Sequence, residues 1–413
     1  LHQYPLLLRS IAVFGASLFL CAFVSLDSLA QTTYTSDTGN CNGGFWNDSD
    51  CWTGATGFPD DPDDKAVIDN GNQIRFDNNI GNPFSSGNPL VLTVGEIDIV
   101  NGNLNQGFAS DPDALTVDDS GSLDGSITIS GTSILGAASI GGESFTITLD
   151  GDLVNNGQTF GMQSGGTVST ITFASTPKNG GAQEIRGTGT TFRLGTVDPG
   201  GSTVTVSSDI NIAGGITGSS GTLDASTNTI TFAGINGPPQ ITVGGSATLN
   251  LGDITVNNAN GVLLNRSITV GGKLTLANGA LDIQGNDLSL DGNLDNTGGT
   301  LTSSGGRLVF QGGVAQTFEI PDGESLPAVL VTGESTVAQF NTNNVSVSLD
   351  ALTVDGNGGG VNSSFSLFNS SGSTIRINGL VDVSGDLLLS NNDATLEAGA
   401  DFTVSGTFDA RED

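Results

Sequence analysis

The stretch that decides the fold runs from residue 271 to residue 313 and reads GGKLTLANGALDIQGNDLSLDGNLDNTGGTLTSSGGRLVFQGG. Apolar and polar residues alternate in short segments, and most segments end in Gly, Asn or Asp. Alternation gives each segment one apolar side, and the residues at the breaks are those that tolerate tight turns. The stretch therefore predicts short β-strands that each turn one face towards a core.

The same pattern recurs along the chain, and its spacing indicates how the strands are arranged. Alternating segments end in Phe173, Phe232 and Phe310, and the second interval is longer than the first. The excess is close to one coil of roughly 20 residues, the usual size of a solenoid repeat. Tandem β-sandwiches would repeat at roughly 90–100 residues, and propeller blades at about 40–50. We therefore predict an all-β solenoid over residues 81–413, with these phenylalanines at equivalent positions of their coils.

Composition excludes several classes of partner. The chain carries a net charge of −32 and 62 glycines among 413 residues. Binding to nucleic acid or to anionic lipid rests on clustered Lys and Arg, which this sequence does not have. The sequence therefore predicts no nucleic-acid partner. Helix-forming residues in amphipathic spacing are almost absent, which favours an all-β chain.

The first thirty residues have the pattern of a signal peptide. Arg9 precedes an uncharged, largely apolar segment, and small residues at Ser28 and Ala30 mark a cleavage site before Gln31. The apolar run is shorter than the roughly 20 residues that a membrane span needs. Residues 1–30 are therefore predicted to direct export to the cell surface or the medium, without membrane insertion of the mature chain. A retained anchor or a buried helix is the alternative.

Residues 31–80 are predicted to form an N-terminal cap. They contain Trp46 and Trp52, the two tryptophans of the chain, together with Cys41 and Cys51. Two cysteines this close in an exported protein predict a disulfide, with two free thiols as the alternative. The open end of a solenoid exposes unpaired strand edges, and such a module would cover them. The tryptophans could instead stack on sugar rings.

The order of residues in this module resembles that of a known group of proteins. Two tryptophans, Pro59 and the run 63–68 (DDKAVI) follow one another as in bacterial surface β-helix proteins of the autotransporter-passenger and Bacteroidetes adhesin type. The resemblance implies a pectin-lyase-like, right-handed parallel β-helix that is capped at its N-terminus. The sequence departs from the group because no C-terminal barrel, anchor or sorting module is visible before Asp413. A fragment that lacks its true start and its C-terminal anchor stays an open alternative.

The sequence contains few residues in patterns that are typical of catalytic sites. His2 is the single histidine and lies in the predicted signal peptide, so no Ser-His-Asp site can form in the mature chain. Lyases of the pectin-lyase-like fold need a basic residue beside carboxylates, yet Lys and Arg are scattered. Adjacent coils could bring Arg186 and Arg193 together. We predict no catalytic residue and leave an enzyme as the less favoured interpretation.

A run of carboxylates is the candidate metal site of the sequence. Asp60, Asp61, Asp63 and Asp64 form the densest acidic cluster, and Ca²⁺ prefers several oxygen ligands at flexible spacing. The run lacks the pattern of an EF-hand loop, and a solvated acidic turn is the favoured interpretation. Ca²⁺ is the one cofactor that the sequence suggests.

Together these features predict an exported structural or adhesive β-solenoid of the bacterial cell surface that is not catalytic. Its expected partners are extracellular glycans or neighbouring cell-surface components, and no ligand-binding residue can be named from the sequence. The alternative is a carbohydrate-active enzyme or a glycan-binding module. That alternative predicts a groove on one β-face, where Arg, Asp and an aromatic residue converge across adjacent coils.

Overall fold

A computed structural model describes residues 31–37, 42–46, 48–69, 72–76, 91–106, 114–118, 123–136, 146–157, 159–161, 163–164, 167–168, 170–174, 182–188, 191–234, 237–356, 361–367, 371–389 and 394–410. The predicted signal peptide, residues 1–30, lies outside these residues. Signal-peptide function therefore stays a prediction. Within the described residues, no helix is both long enough and apolar enough to span a membrane.

The regular secondary structure of the described residues is almost entirely β, with one 3₁₀ turn at Ser49–Cys51. The strands are β1 (Thr32–Ser36), β2 (Asn42–Phe45), β3 (Trp52–Thr53), β4 (Asp64–Asp69), β5 (Gln73–Phe76), β6 (Val91–Val94), β7 (Glu96–Val100), β8 (Asn103–Gln106), β9 (Ala114–Val117), β10 (Ile127–Ser130), β11 (Ile134–Gly136), β12 (Thr146–Leu149), β13 (Leu153–Asn156), β14 (Thr159–Gly161), β15 (Gln163–Ser164), β16 (Thr167–Val168), β17 (Thr170–Phe173), β18 (Gln183–Arg186), β19 (Thr191–Asp198), β20 (Thr203–Val206), β21 (Ile210–Gly218) and β22 (Thr222–Phe232). They continue as β23 (Gln240–Val243), β24 (Thr248–Asn257), β25 (Val262–Leu264), β26 (Ile268–Val270), β27 (Leu274–Asp282), β28 (Leu288–Leu290), β29 (Leu294–Asp295), β30 (Gly299–Thr302), β31 (Arg307–Phe310), β32 (Ala315–Glu319), β33 (Ser325–Leu326), β34 (Ala328–Val331), β35 (Val337–Phe340), β36 (Ser346–Leu349), β37 (Leu352–Val354), β38 (Ser364–Ser366), β39 (Thr374–Ile377), β40 (Val381–Val383), β41 (Asp386–Leu388), β42 (Thr395–Ala398), β43 (Phe402–Val404) and β44 (Thr407–Asp409).

The strands stack in parallel on three faces, and each coil of the chain visits the faces in turn. Face 1 consists of β1, β4, β7, β10, β13, β18, β20, the first parts of β22 and β24, β26, β28, β31, β34, β37, β40 and β43. Face 2 consists of β2, β5, β8, β11, β14, the first parts of β19 and β21, the second parts of β22 and β24, the first part of β27, β29, β32, β35, β38, β41 and β44. Face 3 consists of β6, β9, β12, β17, the second parts of β19 and β21, β23, β25, the second part of β27 and β30, and then β33, β36, β39 and β42. The predicted all-β parallel solenoid is confirmed.

The core is built from columns of inward side chains, as the alternating sequence predicts. On face 2, Leu274, Leu294 and Phe318 lie in register on successive coils, and each is at most 1% exposed. Residues of the same strands that alternate with them, such as Thr275, are less buried. Each coil therefore buries its apolar side against the coils before and after it, as solenoids do.

The coil length agrees with the sequence, but the proposed equivalence of the phenylalanines is wrong. Val270, Leu290 and Phe310 are in register on face 1. Their intervals are about 20 residues, the usual length of a solenoid coil. Phe173, however, lies in β17 on face 3, and Phe232 lies in β22 on face 2. All three faces use the same short alternating pattern, so the sequence shows the coil length without showing which face a strand joins.

Glycine marks a turn where neighbouring coils touch through their backbones. A Cβ atom on Gly292, between faces 1 and 2, would lie 2.1 Å from the carbonyl oxygen of Gly272 one coil earlier. A side chain at this position would therefore push the two coils apart. Close backbone stacking of this kind gives part of the high glycine content a structural reason.

The N-terminal module contributes an antiparallel strand to the first coil. Strand β1 pairs in parallel with β4 and antiparallel with β3, so both edges of β1 are occupied. The module thus occupies an otherwise open strand edge. Its role as a cap and the right-handed sense of the coil stay predictions.

Candidate functional site

Ion pairs between basic and acidic side chains link neighbouring coils of the described structure. Lys65 Nζ lies 2.6 Å from Glu96 Oε1 and 2.6 Å from Asp98 Oδ2 on the next coil. The other pairs are Lys273–Asp295, Arg307–Asp287 and Arg186 with Asp152 and Glu184. These side chains offset part of the acidic charge along the wall, and their carboxylate partners make them poor candidates for a catalytic base.

Arg186 and Arg193, which adjacent coils could have brought together, do not form a common site. Arg186 lies in β18 on face 1, where its Nε donates to Glu184 Oε2 at 2.8 Å. Arg193 lies in β19 on face 2. The two guanidinium groups therefore belong to different walls of the solenoid.

The acidic run at residues 60–64 forms a hydrogen-bonded turn. Asp64 Oδ2 accepts hydrogen bonds from the backbone N–H groups of Asp60 and Asp61, each at 3.2 Å. Asp61 Oδ1 accepts from the N–H of Asp63 at 3.1 Å. Burial, with the nearby acidic charges, raises the pKa of Asp64 and of Asp60 above the usual aspartate range. Within the described part of the chain, no three His, Cys, Asp or Glu side chains form a group that could hold a metal ion. Calcium binding stays a prediction.

The two tryptophans are packed against each other in the core. Trp46 is 0% exposed and Trp52 is 5% exposed, and their ring centroids lie 5.1 Å apart at 64°. The Trp46 Nε1–H donates to the carbonyl of Pro59, and the Trp52 Nε1–H donates to the carbonyl of Trp46, each at 2.7 Å. Because both rings are buried, they offer no open face for a sugar. Their contacts fit a packing role.

The structure describes one of the two cysteines of the predicted disulfide. Cys51 is 1% exposed and is disulfide-bonded. Cys41 lies outside the described residues, so the pairing of Cys41 with Cys51 stays a prediction.

A groove opens on the outside of face 1, where strands β24 and β26 diverge. The two strands pair at a single position, Leu251 with Val270, whereas β26 and β28 pair at three positions. The turn before β24, residues 244–247, is one residue longer than the turn before β26, residues 265–267. The groove lies between the two strands, where their pairing is incomplete.

This groove, which we call the Arg266 groove, has a volume of about 250 Å³. Its lining residues are Ala247, Thr248, Leu249, Arg266, Ser267, Ile268, Thr269 and Ser289. Leu249 and Ile268 occupy the inward column of the sheet but remain half-buried, because the strands have parted around them. The groove thus combines two apolar side chains, several hydroxyls and one cation. Among its described lining residues there is no carboxylate and no aromatic ring.

Hydrogen bonds to the preceding coil hold Arg266 in place. Its Nη1 donates to the carbonyl oxygens of Val243 at 3.3 Å and Ala247 at 2.9 Å. The neighbouring Asn265 is fixed in turn, because its amide donates to Gln240 Oε1 and to Thr242 Oγ1. The turn that carries Arg266 is therefore held against β23 by hydrogen bonds within the protein.

The groove was not foreseen from the sequence. One signal was present in the lengths of the coils, because the coil from Ala225 to its register partner Leu251 is longer than the next one, from Leu251 to Val270. Most of the additional residues lie elsewhere in the coil, for example between β22 and β23, so this difference does not point to Arg266. Sequence reasoning therefore had no means of placing an opening beside Arg266.

Comparison with known proteins leaves the question of function to the structure. No family model, no curated protein and no solved structure matches this chain.

Proposed function

We propose that this chain is an exported structural or adhesive β-solenoid of the bacterial cell surface, and that it works without catalysis. The observation that carries the proposal is the regular wall itself. Stacked coils bury a continuous apolar core, and ion pairs such as Lys65 with Glu96 and Asp98 link neighbouring coils on the outside. A wall of this kind supports an architectural role, because it can present a long polar surface on a stable backbone.

The N-terminal module supports the same proposal. Its buried tryptophans and disulfide-bonded Cys51 are suited to covering the first coil, and a disulfide favours an oxidising compartment. In the proposal, residues 1–30 direct export and residues 31–80 cap a right-handed solenoid of the surface β-helix type.

A glycan-binding module is the second candidate, and the Arg266 groove is the observation that favours it. The groove matches the predicted feature in lying on one β-face across adjacent coils and in holding an arginine. It departs from it in having no Asp and no aromatic ring among its lining residues. Glycoside hydrolysis generally needs two carboxylates about 5–10 Å apart, so the groove suits binding better than cleavage.

The full chain should be tested in parallel for adhesion and for cleavage. We expect it to adhere to bacterial cells or to immobilised surface glycans, and to release no reducing ends or unsaturated products from a panel of polysaccharides. Measurable bond cleavage would overturn the non-catalytic proposal. Absence of adhesion to every cell and glycan surface would overturn the adhesive part of it.

A further inference from the structure

We infer that the Arg266 groove binds a sugar unit that carries a single carboxylate within an otherwise neutral glycan. This inference rests on the proposed adhesive function and names the class of ligand at one site. It follows from the free donors of Arg266, from the other groups that line the groove, and from the charge of the whole chain.

The guanidinium of Arg266 presents a free pair of donors. Nη1 is used by the carbonyls of Val243 and Ala247, while Nε and Nη2 have no hydrogen bond to the described protein. Arg307 shows what this pair can bind, because its Nε and Nη2 donate to the two oxygens of Asp287 at 3.1 and 2.7 Å. Bidentate recognition of a carboxylate is the interaction for which this fork is best suited. Arg266 therefore offers the donors of Arg307 without the acidic partner.

The rest of the groove suits a sugar ring. Hydroxyl groups of Thr248, Ser267, Thr269 and Ser289 can exchange hydrogen bonds with ring hydroxyls. Leu249 and Ile268 are only half-buried and can pack against the apolar C–H face of a ring. At about 250 Å³ the groove is smaller than the roughly 300–1,000 Å³ of sites that hold drug-sized ligands, so it fits about one ring.

The net charge of the chain favours a ligand with a single carboxylate over a polyanionic ligand. The chain carries a net charge of −32, and an anionic polymer that follows the wall would meet this field along its length. Screening acts beyond about 8 Å at physiological salt, so one carboxylate seated on Arg266 is affected mainly by its immediate surroundings. A mostly neutral glycan with one acidic unit gains the contact with Arg266 and avoids most of the repulsion.

The test uses two probes that differ only in the acidic group. Methyl β-glucuronoside carries one carboxylate, and methyl β-glucoside carries a hydroxymethyl group in its place. Ligand-observed NMR titration of the full chain measures the Kd of each. We expect the glucuronoside to bind more tightly than the glucoside by about tenfold or more, since two charge-assisted hydrogen bonds are gained.

Matched variants assign the binding to the groove. Arg266→Gln should abolish the preference for the acidic probe, and Arg266→Lys should keep only part of it because a lysine has no fork. Arg376→Gln removes the same charge from an exposed position on face 3 and should leave the preference unchanged. Since Arg266 also holds the turn before β24, Thr269→Tyr provides a second test. This residue is exposed, and a tyrosine there should fill the groove and block both probes.

The inference is overturned if the intact chain shows no preference for the glucuronoside. It is also overturned if Arg376→Gln lowers the preference as much as Arg266→Gln does, or if Thr269→Tyr leaves binding unchanged. A chain that adheres to cells or neutral glycans without this preference would contradict the inference alone. A chain that prefers the glucuronoside but adheres to no surface would contradict the proposed function, while the inference about the Arg266 groove would stand.

Discussion

Phe318→Ala is the substitution that most directly tests how the solenoid is held together. Phe318 on face 2 is 0% exposed, and its ring contacts three other phenylalanines. The centroid distances are 5.2 Å to Phe310, 5.1 Å to Phe340 and 5.8 Å to Phe365. Truncation at this position therefore removes one ring from a cluster that spans several coils.

The expected cost follows from burial and from the number of ring contacts. Truncation of a buried phenylalanine to alanine costs about 3–5 kcal/mol, and each well-placed aromatic pair adds about 0.5–1.5 kcal/mol beyond the buried area. With three pairs lost, we expect the upper part of the first range, about 4–5 kcal/mol. Phe408→Ala is the matched control, because Phe408 is 48% exposed and has one aromatic neighbour, Phe402 at 6.0 Å. We expect it to cost about 1 kcal/mol or less.

Urea denaturation of the full chain, followed by far-ultraviolet circular dichroism, measures the two costs. Coils contact mainly their neighbours, so the loss should be local. Hydrogen exchange should therefore increase around Phe318, while the fluorescence of Trp46 and Trp52 follows the N-terminal module and changes little. Equal shifts of the urea midpoint for Phe318→Ala and Phe408→Ala would refute the reasoning from burial. Uniform loss of protection along the whole chain would refute the local coupling of coils.

Three further predictions concern the turns, the acidic run and the cysteines. Gly292→Ala should lower the thermal midpoint clearly, because its Cβ would meet Gly272, whereas Gly285→Ala has nothing within 4 Å and should be nearly neutral. Burial is the main cause that raises the pKa of Asp64 in the folded state. The folded state therefore binds this proton more tightly than the unfolded state does, and the stability gained from protonation is lost as pH rises through the raised pKa. Stability should therefore increase as pH falls from neutral towards the usual aspartate range, and Asp64→Asn should remove part of that increase in pH-dependent thermal melts. Reduction should cost about 2–3 kcal/mol, and Cys41→Ser should reproduce the loss if Cys41 is the partner of Cys51; an unchanged midpoint in the variant would refute the pairing.

Local pattern was sufficient to predict the strands and the class of fold. Residues 271–313 alternate because each strand has one buried side, and many of their Gly, Asn and Asp residues occupy turns, as at 284–286 and 291–292. Asn278 and Gly279 instead lie within β27, where the strand passes from face 2 to face 3. Position within the coil was not predictable in the same way. Phe173, Phe232 and Phe310 have the same local sequence context on three different faces, and only pairing with earlier and later coils distinguishes them. Pairing partners lie a whole coil away along the chain, beyond the reach of a local pattern.

The candidate groove was harder to predict because it results from an irregularity. Arg266 resembles any other surface arginine in the sequence. Its significance comes from the carbonyls of Val243 and Ala247, which orient it, and from the divergence of β24 and β26, which opens space beside it. Both features involve residues of the preceding coil, which a local sequence pattern does not reveal.

A solenoid of this kind can gain binding sites at little cost. Each coil is stabilised mainly by its two neighbours, so a local disturbance of the pairing between two strands leaves distant coils unchanged. At the Arg266 groove the disturbance leaves Leu249 and Ile268 half-buried, while Leu223 and Leu288 in the flanking coils stay fully buried. Ile268→Ala should therefore lower the thermal midpoint only slightly, whereas Leu288→Ala, at the equivalent position of the next coil, should lower it clearly because a fully buried leucine is truncated. If the two substitutions were equally costly, Ile268 would be a full part of the core, and the groove could no longer be regarded as a local addition to a regular wall.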